Sequence, residues 1–351
     1  MAGRHTVRFE PVDLEIEVSE DETVLEAAFR QGVMLMHGCK EGQCSACKSF
    51  LISGDVDLER YSTFALADYE REEGYTLLCR AHAFSDLEVE LLHYDEDVLT
   101  SSAPIQTMRA EVASITPLTH DIRHLALNLV DPPELAFLAG QYVDIGVPGT
   151  AHTRAFSMAN TPATGDRLEF MIKLYPGGRF SGLLEDQLTP GDELQLRGPF
   201  GVFILREHSD ADLIFIGGGA GMAPIWSLLS SMAERGVQRK VTYYYGARTA
   251  KDLFHLDELA RLSERLPGFR FVPALSEPVA GEGWEGETGL VTDVVDRLEG
   301  DLAGHEGYLC GPPPMIDAAV DLLVAKGIGE ARIFYDKFTI TASEDEQARK
   351  G

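Results

Sequence analysis

Four cysteines constrain this chain more than any other feature. Cys39, Cys44 and Cys47 stand in the spacing C-x4-C-x2-C, and Cys79 completes the set downstream. Four thiolates at this spacing, on a folded loop, are the plant-type arrangement for a [2Fe-2S] cluster. The residues around them are small. Gly38, Gly42, Ser45 and Ala46 let backbone N–H groups approach the cluster sulfides and stabilise the charge added on reduction. Two other readings compete. A zinc ribbon would draw on Cys44, Cys47, Cys79 and His82, but it leaves Cys39 unexplained. A Rieske centre needs paired Cys-x-His elements, whereas Glu41 occupies that position and His37 precedes its cysteine. The fifth cysteine, Cys310, makes the count odd. With no secretion signal, that argues against a disulfide framework.

At 351 residues the chain has room for two to three domains of about 150 residues each. With 44% hydrophobic and 25% charged residues it is ordinary globular protein. Its formal net charge of -27 repels a phosphate backbone and an anionic leaflet alike, so neither nucleic acid nor a membrane is an expected partner. The opening MAGRHTVRFE has no apolar h-region, and a cytoplasmic location is expected. Residues 213–229 carry no charge, but their glycines and Pro224 fit a buried strand, a turn and a helix start better than a membrane span.

The pattern along the chain changes twice. Residues 1–100 hold 22 acidic against 8 basic side chains and open with hairpin alternation (Val7, Phe9, then Leu14, Ile16, Val18), followed by a helix pattern near residues 23–31. The stretch DEDVLTSSAPIQT is polar and contains Pro and Ser, as suits an exposed linker. From residue 109 to about 205, six short strand patterns separated by Pro, Gly and Asp turns read as an antiparallel barrel or sandwich, with one helix near residues 180–188. From residue 212 onward strands alternate with helices, the mark of a doubly wound parallel sheet. The tail from about residue 341 is expected to fray.

Two further motifs suit nucleotides. In the barrel segment Arg154, Phe156 and Ser157 end a strand, and Gly178, Arg179, Phe180 and Ser181 open the helix. An arginine and a bare helix N-terminus bind a pyrophosphate, while the ring and hydroxyl suit a planar heterocycle. Taken alone, this motif is short enough to be merely structural. In the α/β segment Gly217, Gly218, Gly219, Gly221 and Pro224 follow an apolar strand and enter a helix, as a dinucleotide-phosphate turn does, though not as a strict G-x-G-x-x-G. Arg248 and Lys251 are candidates for a 2'-phosphate or are solvated loop charges, so the cofactor choice stays open. Cys310, Gly311 and Pro312 end the fourth strand on the carboxyl edge, where Cys310 either touches a nicotinamide or is one more buried cysteine.

Together and in this order, GCKEGQCSACK, RAFSMAN, PGGRFS, IGGGAGMAPI, YLCGPPPM and IFYDKF resemble the reductase components of bacterial multicomponent monooxygenases of the soluble diiron type, members of the ferredoxin-NADP reductase-like superfamily, over nearly the whole length. Reductases of ring-hydroxylating dioxygenases are similar. The resemblance implies a multidomain chain. A β-grasp (α+β) ferredoxin domain would span 1–98, a linker 99–107, an antiparallel β-barrel FAD domain 108–206, an α/β doubly wound NAD(P)H domain 207–340 and a tail 341–351. It implies that Cys39, Cys44, Cys47 and Cys79 hold the cluster. It also implies that Arg154, Phe156 and Ser157 contact FAD, with Ser157 near the flavin N5, and that Gly178 to Ser181 hold its phosphates. Gly217 to Pro224 with Cys310, Gly311 and Pro312 would bind NADH, or NADPH; Ser157 and Cys310 would be the catalytic pair, and Phe338 the aromatic shielding the flavin.

The chemistry agrees. A nicotinamide gives up two electrons together and a [2Fe-2S] cluster accepts one, so a flavin between them must split the pair. A diiron oxygenase site needs paired Glu-x-x-His motifs, and the chain has only Glu90-Leu91-Leu92-His93, on a strand-like segment. A separate acceptor is therefore implied, the hydroxylase component of a monooxygenase, with the acidic first domain docking on a basic patch. The alternatives are a Rieske dioxygenase or deoxysugar dehydratase acceptor, and a non-catalytic zinc- or nucleotide-binding regulator on the same scaffolds.

Overall fold

The computed structural model describes residues 3–101, 103–150, 152–281 and 283–338. The tail expected at 341–351 lies outside the described residues.

The first unit is a mixed five-stranded sheet in the order Leu14–Ser19, Arg4–Glu10, Leu87–Leu91, Lys48–Ser53, Tyr75–Leu77. The opening hairpin is antiparallel, and its first strand runs parallel to Leu87–Leu91, the arrangement of a β-grasp. Alternation buries Val7, Phe9, Ile16 and Val18 against the helix Val24–Arg30, which contributes Val24, Leu25 and Ala28. Thr23 starts that helix with a reciprocal cap: its side chain accepts the Glu26 N–H at 3.2 Å, and the Glu26 carboxylate accepts the Thr23 N–H at 3.5 Å. The cysteine loop leaves this helix and enters the strand Lys48–Ser53.

The segment read as an exposed linker is instead partly helical and packed. Asp95 accepts the Val98 N–H at 3.2 Å and starts the helix Glu96–Ser101, which sinks Val98 and Leu99 into the first core. Its polar letters were capping and solvent-face residues around an apolar pair. Asp95 also pairs with Arg206 Nε at 2.6 Å. Arg206 in turn donates its backbone N–H to the Tyr308 hydroxyl and lies 4.1 Å from the Phe334 ring centre, so one arginine ties three parts of the chain together.

The six strands expected from residue 109 onward form one antiparallel sheet in the order Thr153–Ser157, Tyr142–Gly146, Glu193–Phe200, Gln106–Pro117, Ile122–Asp131, Arg167–Lys173. A bridge between Met158 and Phe170 joins its two edges and closes the barrel. Met108, Val112, Leu125, Val143, Ile145 and Phe170 fill it, and the helix Arg179–Asp186 lays Phe180, Leu183 and Leu184 on the same core. Phe200 and Ile204 from the end of this unit pack into the first core instead.

The third unit is a parallel sheet ordered Glu287–Thr288, Phe269–Leu275, Val241–Ala247, Asp212–Gly218, His305–Gly311, Ile333–Lys337. It grows outward on one side of Asp212–Gly218 and then crosses to the other. The order therefore reverses between Asp212–Gly218 and His305–Gly311, the crevice where such sheets bind ligands. No helix among the described residues is long and apolar enough to cross a membrane.

Candidate redox sites

The cysteine loop is shaped before any metal is considered. Lys40 and Ser45 hold left-handed backbone at φ 58 and 55, and Gly42 does so at φ 68. A Cβ on Gly42 would come 2.8 Å from the Tyr61 Cβ, so no side chain fits there without displacement. The bend turns amides inward. Glu41 and Gln43 donate to Cys39 Sγ at 3.4 and 3.2 Å, and Cys39 donates its own N–H to Cys44 Sγ at 3.2 Å. The thiols influence one another in two pairs, Cys39 with Cys44 and Cys47 with Cys79. The neighbouring Cys44 thiol, with those amide donors, pulls the Cys39 thiol well below its ordinary value. Two pairs of sulfurs with amides aimed at them fit a two-iron cluster, two ligands to each iron.

The zinc reading loses its histidine. His82 has both ring nitrogens engaged, with the Glu20 carbonyl at 2.9 Å and Glu59 at 3.0 Å, and is not available as a zinc ligand. His37 bonds the Leu35 carbonyl at 2.8 Å and stands edge-on to Phe29, buried in the junction with the barrel.

The barrel brings its two motifs together. Phe156 lies against Phe180 with ring centres 4.6 Å apart, which joins the Thr153–Ser157 strand to the first turn of Arg179–Asp186. Gly177 takes φ 73, and Gly178 precedes the helix without a side-chain cap, leaving the first-turn N–H groups for an anion. Arg179 is exposed on that turn, while Arg154 lies on the neighbouring strand and donates to the Thr153 carbonyl at 2.8 Å. Ser181 is buried, and its Oγ accepts the Tyr175 N–H at 2.8 Å, so this hydroxyl secures the turn. Ser157 is buried and paired in register with Tyr142.

Tyr142 and Asp336 belong to this site and were not singled out from the sequence. Tyr142 stacks on Phe200 with centres 5.6 Å apart. Burial, then the nearby charges of Asp144, Asp336, Cys39 and Cys44, hold its phenol well above the ordinary range. Tyr142 thus lies near the cysteine loop, whose Lys40 ammonium is 5.2 Å from its ring, and within the field of the last strand of the third unit. Burial raises the Asp336 carboxyl to about 6. A tyrosine in a strand pattern and an aspartate in a terminal strand give no sequence signal by themselves.

The glycines of the third unit are needed for close approach. The Asp212–Gly218 strand turns through Gly219, at φ 57, into the helix Met222–Arg235, which contains Pro224 in its first turn. Gly217 stands opposite Cys310 in register. A Cβ on Gly218 would meet the Met315 sulfur at 2.9 Å, and one on Gly221 would run into the Cys310 carbonyl. Gly311 takes φ 151 against the Gly218 backbone, and Pro312 precedes the helix Pro313–Ala325. The two motifs are thus one bare-backbone crevice at the reversal of strand order. Phe338 donates its N–H to the Gly311 carbonyl at 2.9 Å, which sets it at the mouth of that crevice. Cys310 is fully buried, and its thiol is pushed well above the ordinary range by burial and then by Asp336. It therefore stays a neutral thiol. Arg248 lies 3.9 and 3.8 Å from Asp121 and Asp252, and Lys251 is exposed.

The chain matches family models for a 2Fe-2S iron-sulfur cluster binding domain at residues 7–83, an oxidoreductase FAD-binding domain at 109–204 and an oxidoreductase NAD-binding domain at 215–321. It is 53% identical over 347 residues to the reductase component of propane 2-monooxygenase from Rhodococcus jostii (strain RHA1), covering 98% of this chain and 94% of that one. It is 39% identical over 340 residues to the reductase component of phenol 2-monooxygenase from Pseudomonas sp. (strain CF600), covering 96% and 95%. The crystal structure of Amycolatopsis cytochrome P450 reductase GcoB superposes with a TM-score of 0.85 at 34% identity, over 96% of this chain and 99% of that one. With a [2Fe-2S] cluster, FAD and NADH as its cofactors, the chain belongs to the family of iron–sulfur flavoprotein reductases that form the reductase components of multicomponent monooxygenases.

Proposed function

We propose that this chain takes electrons from NADH and delivers them singly to the hydroxylase component of a soluble diiron monooxygenase of the propane, methane or phenol type. One observation carries the reading: Tyr142, paired in register with Ser157 of the flavin motif, has the Lys40 ammonium of the cysteine loop 5.2 Å from its ring and feels the charge of Asp336, which is paired in register with Cys310. The flavin, when bound, supplies the change from paired to single electrons.

The residues divide the work by position. Cys39, Cys44, Cys47 and Cys79 hold the cluster. Arg154 and the N-terminus of Arg179–Asp186, with Gly178, Arg179, Phe180 and Ser181, hold the pyrophosphate of FAD. Phe156, Ser157 and Tyr142 border the flavin ring. Gly217, Gly218, Gly219, Gly221 and Pro224, with Gly311 and Pro312, cradle the NADH phosphates and nicotinamide. Cys310, neutral and fully buried in its strand, would position the ring by packing, and Phe338 would close the mouth against water. Asp121 and Asp252 around Arg248 disfavour a 2'-phosphate, which supports NADH over NADPH. The first domain limit falls after the helix Glu96–Ser101 in place of 98 and the second unit begins with the strand Gln106–Pro117 in place of 108; the third unit is proposed as 207–340.

The test is an absorbance spectrum of the purified protein followed by anaerobic titration with NADH and then NADPH. Flavin and cluster bands that bleach with NADH at about three electrons per chain support the reading. A colourless zinc protein overturns it. Reduction of a Rieske dioxygenase in place of a diiron hydroxylase keeps the chemistry and replaces the acceptor.

A further inference from the structure

Lys40 follows the first cluster cysteine, yet its side chain leaves the loop and reaches the barrel. Its Nζ lies 2.7 Å from Asp144 Oδ2, with both side chains mostly buried. The ammonium also sits 3.7 Å from the centre of the Phe200 ring and 5.2 Å from that of Tyr142. The backbone at Lys40 is left-handed, φ 58, a conformation that glycine adopts freely and that a side-chain-bearing residue keeps only when its surroundings enforce it. The chain therefore holds a lysine in a strained turn and clamps its far end in a half-buried cage.

The cage stands on the strands that carry the flavin motif. Asp144 lies in Tyr142–Gly146, opposite Ala155 in register, and Tyr142 is opposite Ser157. Because side chains alternate along a strand, Tyr142 and Asp144 point to the same side, away from the buried Val143 and Ile145. One ion pair thus links the residue beside a cluster ligand to the strand pair that holds Ser157.

We propose that Lys40 is a positioning residue for electron transfer between flavin and cluster: its bond to Asp144, seated on Phe200, fixes the cysteine loop against the flavin-bearing strands. This rests on the cluster and flavin assignments above. Two features support a geometric role. The pair joins the cysteine loop to the barrel across 104 residues of sequence. Arg197, opposite Asp144 in register, is exposed, and the ion pair shown for Asp144 is with Lys40, so the contact to the cysteine loop is the one the aspartate makes.

The test uses the full holoprotein. Lys40→Met keeps the stem against Phe200 and removes the charge; Asp144→Asn removes the other partner, and Lys40→Arg keeps both contacts. Anaerobic stopped-flow absorbance separates flavin reduction by NADH from the following cluster reduction, and hydrogen exchange follows the amides of residues 38–47. The expected result is cluster reduction slowed about tenfold or more in Lys40→Met and in Asp144→Asn, with flavin reduction within about twofold of the parent, faster exchange in the loop, and recovery in Lys40→Arg. The double variant should be no slower than either single one, since both remove the same contact. Unchanged cluster reduction, equal slowing of both steps, additive losses or an unaltered loop would each overturn the proposal. If Lys40→Met does not fold, Asp144→Asn decides alone by the same readouts. Absence of cluster bands from the parent protein would instead overturn the functional reading itself.

Discussion

No methyl group fits between Gly221 and the carbonyl of Cys310, because the ideal Cβ position at residue 221 falls within that carbonyl's own space. The obstruction is backbone, which cannot swing aside as a side chain does. Gly221→Ala should therefore push the phosphate turn off the strand His305–Gly311. The expected cost is about 1–3 kcal/mol of stability, as for other overpacked sites. The half-saturating NADH concentration should rise about tenfold, with flavin and cluster absorbance retained. Gly300→Ala, where an added Cβ meets nothing within 4 Å, is the control and should stay within about 0.5 kcal/mol of the parent in urea unfolding.

The two kinds of cysteine should separate cleanly. Cys79→Ser removes one of four thiols and should abolish the cluster bands while leaving reduction of the flavin by NADH within about twofold. Transfer to a one-electron acceptor such as cytochrome c should fall about a hundredfold. Cys310→Ser should keep the cluster bands, because that thiol lies in another unit and is fully buried. Loss of cluster absorbance in Cys310→Ser, or its survival in Cys79→Ser, would contradict the assignment.

Asp336, partly exposed at the end of its strand, gives a pH dependence whose sign follows from the desolvation it still suffers there. A carboxyl held up at about 6 in the folded chain, against an ordinary value of 3.8, favours folding while protonated. Between these two values the folded state binds more protons than the unfolded state, so this contribution is full below pH 3.8 and is lost as pH rises through 6. Asp336→Asn cannot ionise and should lack the loss. The difference in denaturation midpoint between parent and variant, measured from pH 5 to 7, should shift in the variant's favour as pH rises. A difference that stays flat would mean that Asp336 is better solvated than its position implies.

What the sequence made legible follows from how local each signal is. The cysteine loop was readable because all but one of its ligands fall within nine residues, and the barrel strands because Pro and Gly punctuate a period of two. The glycine turn was readable because strand, turn and helix are contiguous there. Lys40, Tyr142, Asp144 and Asp336 were not, since each acquires its place through a partner far along the chain and stands in an ordinary pattern of its own. The linker segment departs from its local pattern for a related reason. Asp95, Val98 and Leu99 make a capped, buried turn only because Arg206 and the first core receive them. Local composition reports solvent preference, and it has no access to the surface that covers a short apolar pair.

Acceptor reduction should depend strongly on salt. The cluster edge is reached through the exposed Cys44, flanked by exposed Glu41, and the helix Asp68–Glu72 nearby adds exposed Asp68 and Glu72, with Glu73 just beyond. Phe64 stands 97% exposed between this helix and the cysteine loop's partner Ser62, an apolar anchor with a local excess of acidic side chains over the exposed Arg60 and Arg71. An acceptor with a basic rim would be steered to this face, and screening shortens that steering from a Debye length of about 10 Å at 0.1 M salt to about 3 Å at 1 M. The second-order rate of acceptor reduction should therefore fall about tenfold or more across that range, while flavin reduction by NADH changes far less. Glu72→Lys and Asp68→Lys should flatten the salt dependence, and Phe64→Ala should lower the rate at every ionic strength. A rate that is flat in salt, with both lysine variants unaffected, would mean that the acidic excess of this unit serves solubility and that the acceptor docks elsewhere.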